Sequence, residues 1–181
     1  MQLQVVDLPA DGRDAVVDLL AHAFVDEPYV VALHGDDPAA RVAALRARYG
    51  AEPVGHHTLE LAAYADGALV GVAQGSLPGT CLGCERNEDD DPWSLAVAVV
   101  HRGLPAHLRV GRLGVAAQAR GIGAGAGLLH AAVARARGLG VVTVLECQPH
   151  RVAYYERRGF SVVARVHDPL GGDDGAVLVR S

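Results

Sequence analysis

Aromatic residues are scarce in this chain, at 4% of the total, so alanine, valine and leucine must fill most of any core. Lysine is absent: all 16 basic residues are arginine, a bias from which no function follows. Acidic residues outnumber them, and the formal net charge is −5. A nucleic-acid-binding protein normally presents a basic face, so the composition argues against that class. Three cysteines, an odd count without secretory context, do not make a disulfide framework. Met1 to Asp14 carries carboxylates early and no apolar targeting core. The longest apolar runs, such as Leu95 to Val100, fall far short of the ~20 residues that span a bilayer. What is present is a chain of 181 residues, half hydrophobic and only 20% charged. That is enough to bury a core and fits one globular domain over residues 1–181, expected to be soluble and cytoplasmic.

Gln2 to Val6 alternates weakly and reads as an edge strand. Asp11 to Phe24 places Val16, Leu19, Leu20 and Ala23 at helical spacing, and Pro28 breaks the pattern. A second helix is expected from Pro38 to Tyr49, with proline in its first turn. Thr58 to Tyr64 and Ala68 to Gln74 flank Asp66-Gly67 and read as a hairpin. Gly75 to Asp91 reads as loop, and Trp93 to Val100 as a short helix or a buried run. Then come a strand from Leu108 to Val115, a long Ala/Leu helix from Gly123 to Arg137, and a β-branched strand from Val141 to Cys147. A strand so continuously apolar suits the inside of a parallel sheet. Pro149 to Arg158 reads as a helix stopped by Gly159, and strands at Phe160 to Val166 and Ala176 to Val179 close an α+β chain without repeats.

Arg120-Gly121-Ile122-Gly123-Ala124-Gly125-Ala126 follows a strand and opens a helix. The first amides of a helix lack intrahelical partners and lie at the positive end of its dipole. Glycines let a bulky phosphate approach the backbone, so a diphosphate is the expected guest. Two cofactors meet that description. Gly121-x-Gly123-x-x-Ala126 matches a dinucleotide fingerprint, with Glu146 at the end of the next strand as a ribose-binding acid. Its position argues against it, because too few strands remain downstream to build the large parallel sheet such a fingerprint opens.

The other reading takes in more residues. Leu113-x-Val115, then Arg120-x-x-Gly123-x-Gly125-x-x-Leu128-Leu129, resembles the GNAT superfamily of acetyltransferases. Leu145-Glu146-Cys147-Gln148-Pro149 followed by Ala153-Tyr154-Tyr155-Glu156-Arg157-Arg158-Gly159-Phe160 is similar to that family's second conserved segment. The resemblance covers about Leu113 to Val163, with a looser match at Phe24-x-Asp26-x-Pro28, and is closest to the puromycin N-acetyltransferase type of antibiotic-modifying enzyme. Ala117 stands where the family usually has proline, and Gln148 where it has asparagine.

The resemblance implies a GNAT-like fold: a mixed, twisted sheet flanked by helices, with two strands splayed apart at the cofactor. It implies acetyl-CoA held by Leu113, Gly114, Val115, Arg120, Gly121, Ile122, Gly123, Ala124, Gly125, Ala126 and Gln148. Its pantetheine arm would add as a strand beside Leu113 to Val115. Tyr155 is implied as general acid toward the leaving thiolate, with Tyr154 turned to the core as its contrast. Glu146 is the best-placed general base, with Glu60 and His107 as rivals and an arginine partner as the plainer role of Glu146. Asp26, Glu27 and Tyr29 border the acceptor site.

Other features carry less. Cys81-x-x-Cys84 followed by His101 and His107 comes close to a zinc pattern, but its central spacer is long and its first pair sits in a loop. No metal is therefore expected. Glu88 to Asp91 reads as a solvated acidic loop, and His56-His57 as surface polarity. The expected partner is a small-molecule amine, with a homodimer left open and neither nucleic acid nor membrane involved. A protein or peptide acetyltransferase and a non-catalytic acyl-CoA-binding module stay open as alternatives.

Overall fold

A computed structural model describes residues 2–81, 84, 92–167 and 174–181. The Asp66-Gly67 turn forms as its chemistry dictates. Strands β1 (Leu3–Asp7), β2 (Leu59–Ala65) and β3 (Ala68–Ser76) open the sheet, and Asp66 and Gly67 join β2 to β3 with φ of 48° and 83°. A two-residue hairpin turn of this hand needs positive φ at both positions, which aspartate tolerates and glycine adopts freely. The remaining strands are β4 (His107–Val115), β5 (Val142–Cys147), β6 (Ser161–Val166) and β7 (Gly175–Arg180). The spatial order is β1-β2-β3-β4-β5-β7-β6. β1 is antiparallel to β2, β4 parallel to β5, and β7 antiparallel to both β5 and β6, so the sheet is mixed. This is the fold class that the motifs imply.

The helices are α1 (Arg13–Ala23), α2 (Pro28–His34), α3 (Pro38–Gly50), α4 (Pro92–Gly103), α5 (Ala124–Gly138) and α6 (Val152–Glu156). Two of them correct the sequence reading. Pro28 opens α2 rather than merely ending α1, because a proline at the first helical position loses no hydrogen bond. The helix expected over Pro149 to Arg158 is a 3₁₀ turn at Pro149–Arg151 followed by the five-residue α6. Gly159 follows with φ of 81°, a conformation that suits glycine beyond a helix end. The acidic run Glu88 to Asp91 lies outside the described residues.

The chain divides into two compact units, residues 1–74 with 112–131 and residues 75–111 with 132–181. In the first, Val16, Leu19 and Leu20 of α1 pack with Val30 of α2, Leu45 and Tyr49 of α3, and Val72 of β3. The spacing of the α1 residues lines one helical face, which is the face buried. In the second, Val97 of α4 meets Val144, Val166 and Val177 of β5, β6 and β7. Among the described residues no helix is long and apolar enough to cross a membrane.

Glycine is needed sterically where backbone segments touch. A Cβ on Gly75 would stand 1.8 Å from the carbonyl oxygen of Arg109, and one on Gly114 2.8 Å from Leu20 Cδ2. Gly103, by contrast, has nothing within 4 Å of that position and no positive φ. Gly75→Ala should therefore destabilise the protein by at least about 3 kcal/mol in denaturant unfolding. Gly103→Ala should leave stability level or raise it by up to about 1 kcal/mol. Equal midpoints for the two variants would contradict this packing.

Candidate cofactor and acyl-transfer site

Helix α5 begins at Ala124, and its first main-chain bond runs from Gly127 N–H to the Gly123 carbonyl. Among the described residues, the amides of Gly121, Ile122, Gly123, Ala124, Gly125 and Ala126 have no backbone acceptor. Gly121 and Gly123 adopt φ of 88° and 96°, and a Cβ at either would meet nothing within 4 Å. The turn is thus an open concavity of donors at the positive end of a helix of 15 residues. Arg120, immediately before it, is exposed. Inside the helix Leu128 and Leu129 are buried, anchoring the turn from behind. The residues from Arg120 to Ala126 form the turn and the first residues of α5, and exposed main-chain donors of this kind suit an anion.

On the same unit Leu113, Gly114 and Val115 form the last residues of β4. β4 is paired with β5 only from His107 to Val110, opposite Val142 to Leu145, although it runs on to Val115. In the other unit Gln148 follows β5 and caps the 3₁₀ turn. Its side-chain oxygen is buried and finds no hydrogen-bond donor. A buried acceptor is costly to leave unmet, so this atom suits a donor supplied from outside the chain.

Tyr155 lies on α6, 9% exposed, with its ring edge-on to Tyr154 at 5.1 Å and to Phe160 at 6.0 Å. The expected contrast with Tyr154 is reversed. Tyr154 is the less buried of the two and lies under the Arg158 guanidinium, 3.6 Å from its ring centroid.

Glu146 is not placed as a base. Arg109 grips both its oxygens, Nε donating to Oε1 at 2.8 Å and Nη2 to Oε2 at 3.1 Å. His101 Nε2 stands 2.5 Å from Oε1, a charge contact that is not aligned as a hydrogen bond. Burial opposes ionisation of Glu146, but the Arg109 charge and its hydrogen bonds prevail and hold the carboxyl down at about 2. A carboxylate so occupied accepts a proton poorly near neutral pH. The plainer role, a strand-end acid paired with arginine, is the one the structure gives it.

A polar network in the first unit escapes sequence reasoning. Arg112 donates through Nη1 to Glu52 Oε2 at 2.8 Å and through Nη2 to Oε1, and lies 4.5 Å over the Tyr49 ring. His57 Nε2 is 3.2 Å from Glu52 Oε2, and Gln74 Oε1 is 3.4 Å from Arg112 Nη1. Gln74 Nε2 in turn donates to Glu60 at 2.8 Å, so that rival base is also engaged. His57, taken for surface polarity, has a side chain only 8% exposed; the fold turns it inward onto Glu52. Burial works against the charge on Glu52, yet hydrogen bonds from Arg112 and His57 hold its carboxyl well below the ordinary 4.5. The Tyr49 hydroxyl is pushed up by burial and by its neighbour Tyr29, to which it is hydrogen-bonded.

The three expected acceptor residues diverge. Tyr29 is 45% exposed and borders this network. Asp26 is taken by Arg41, whose Nη2 donates to it at 2.9 Å, while Glu27 caps α2.

The residues of the discounted zinc pattern do meet. Cys81, Cys84, His101 and His107 present one donor atom each, all within 4.8 Å of one another. Cys81 and Cys84 follow β3, His101 ends α4 and His107 starts β4, so the loop position of the first pair is no obstacle. Burial raises the Cys81 thiol, but the two imidazoles outweigh it and bring the group down to about 5.

A mixed sheet whose glycine turn opens a helix onto unpartnered amides defines a domain built to hold a phosphorylated carrier. Residues 14–160 match the model of the acetyltransferase (GNAT) family, and the chain belongs to that family. Comparison with curated proteins gave no match. Among solved structures, the chain is similar to a Corynebacterium glutamicum protein described as histone acetyltransferase HPA2 and related acetyltransferase. That likeness has a TM-score of 0.74 and 22% identity, covering 99% of this chain and 96% of the other. It is also similar to the PaiA N-acetyltransferase of Thermoplasma acidophilum in complex with coenzyme A, at TM-score 0.65 and 14% identity, over 100% and 99%. A polyamine N-acetyltransferase of Drosophila melanogaster matches at TM-score 0.65 and 19% identity, over 98% and 99%. At these identities the likeness is one of fold.

The Arg112–Glu52 pair carries a checkable consequence. Glu52→Gln should lower stability by about 1–2 kcal/mol at pH 7, since it removes a charged partner from a half-buried pair. The native carboxyl titrates below its unfolded value, so its contribution is complete above pH 4.5 and is lost as pH falls through the native value. The stability gap between wild type and variant should narrow steadily on acidification below about pH 4.5. A gap that does not change with pH would refute the pairing.

Proposed function

We propose that residues 1–181 act as a single acetyltransferase domain that moves the acetyl group of acetyl-CoA to a primary amine of a small molecule. The observation that carries this reading is the row of unpartnered amides from Gly121 to Ala126 at the start of α5. They would hold the diphosphate, with exposed Arg120 beside it. Leu113 to Val115 would accept the pantetheine arm as an added strand. Bound acetyl-CoA supplies the activated acetyl group, whose carbonyl oxygen would find a main-chain N–H near Val115. The amine nitrogen would gain the acetyl group and release its proton to water as the carbon–sulfur bond breaks. Tyr155 holds the proton that the departing thiolate takes up. No side chain is assigned as base, because Glu146 is engaged by Arg109.

The net charge of −5 is compatible with a cationic amine as acceptor without selecting it. Solved structures of the same fold include an agmatine N-acetyltransferase and the polyamine enzyme. The narrower likeness to the puromycin type rests on the motifs between Leu113 and Val163.

The test is release of coenzyme A thiol from acetyl-CoA against aminoglycosides, aminonucleosides, polyamines and peptides. Turnover with a small amine is expected. Turnover with peptides alone would make the chain a protein acetyltransferase, and binding without turnover a carrier-binding module. Gly123→Val, which forces a branched side chain into a φ of 96°, should weaken coenzyme A binding at least about 10-fold by calorimetry. Tyr155→Phe should cut kcat by roughly 10²-fold with an unchanged circular dichroism spectrum. An unaltered kcat would remove the tyrosine from the mechanism.

A further inference from the structure

We infer that Cys81, Cys84, His101 and His107 form a closed, four-ligand structural site for a divalent ion of the zinc class. All four residues belong to the second unit. Two sulfurs and two imidazole nitrogens are the donor set that selects zinc among common divalent ions, and no oxygen ligand is among them. Their spacing lies within a few tenths of an ångström of a tetrahedron's for three of the four donor atoms. Zinc bonds of ~2.0–2.3 Å give ligand-to-ligand edges of about 3.3–3.8 Å. Here Cys81 Sγ is 3.6 Å from His101 Nδ1 and 3.2 Å from His107 Nε2, and the two nitrogens are 3.0 Å apart. Cys84 Sγ falls within the same 4.8 Å cluster.

The acceptors behind the rings point the same way. His107 Nδ1 lies 2.8 Å from the Pro105 carbonyl, which only accepts, so Nδ1 carries the hydrogen and Nε2 keeps its lone pair. The negative charge of Glu146, 2.5 Å from His101 Nε2 though not aligned as a hydrogen bond, favours the hydrogen on that nitrogen and the lone pair on Nδ1. The two bare lone pairs then face each other at 3.0 Å, in side chains of residues only 1% and 5% exposed. Such an arrangement needs a proton or a metal cation between the rings. A single proton relieves one nitrogen pair; a metal ion engages both nitrogens and both sulfurs at once. Carboxylate and carbonyl behind metal-bound imidazoles are also the usual supports that fix ring orientation. The site gives the buried Arg109–Glu146 pair a purpose that acetyl transfer does not: it holds the acceptor that orients His101. A redox pair of Cys81 and Cys84 accounts for neither imidazole, and Cys81 is only 8% exposed to any oxidant. An ion here would pin the segment after β3 to the end of α4 and the start of β4.

The full-length protein, purified without chelators from zinc-supplemented cells, should hold about one zinc per chain by mass spectrometry of the metal. Stripped and fully reduced, it should take up Co²⁺ to saturation at about one equivalent, with visible tetrahedral bands and thiolate-to-cobalt charge transfer. Cys81→Ser and, separately, His107→Gln should each lose the zinc and lower Tm. The cobalt titration of unmutated protein decides the matter should those variants fail to fold. Three results would overturn the inference: no cobalt bands from reduced protein together with substoichiometric zinc; a Cys81–Cys84 disulfide in metal-free protein as isolated; or undiminished zinc in both folded variants.

Discussion

Main-chain N–H groups that a helix cannot satisfy for itself are the physical centre of this protein. Every α-helix starts with such donors, and most proteins cap them with a side chain. Before α5 stand Gly121 and Gly123, on either side of Ile122, with φ of 88° and 96°, and none of the three carries a polar side chain to cap the amides. The turn therefore stays open, and Leu128 and Leu129, fully buried one turn further on, keep it in place. The proposed carrier site follows from that arrangement, since a diphosphate supplies the acceptors that the chain withholds.

Charge inside the molecule is organised by pairing. Arg109 and Glu146 meet in the second unit, Arg112 and Glu52 in the first, and each pair recruits a histidine, His101 in one case and His57 in the other. A buried or half-buried charge without a partner would be costly, so these contacts are obligatory once the fold removes the groups from water. The consequence for chemistry is that carboxylates standing at suggestive places in the chain are already engaged. Glu146 is held by Arg109 and Glu60 by Gln74.

Much of the architecture was legible beforehand. The Asp66-Gly67 turn, the apolar face of α1, the β-branched strand β5 and the Arg120 to Ala126 turn all depend on residues within a few positions of one another. Local chemistry of that kind is written in the order of the residues. Misreadings occurred where one local rule competed with another: Pro28 can end a helix or open one, and the chain takes the second course.

Residue order alone carries most of the elements, the glycine turn before α5 and the family, because periodicity, turn residues and motif spacing act over short range. The partners of the buried polar groups emerge from packing over long separations. Glu146 and Arg109 are 37 positions apart, Arg112 and Glu52 are 60, and Cys81 and His107 are 26. Packing of the apolar core brings such residues together, and the need to satisfy each buried charge or donor then fixes the pairs. No short-range pattern encodes that choice.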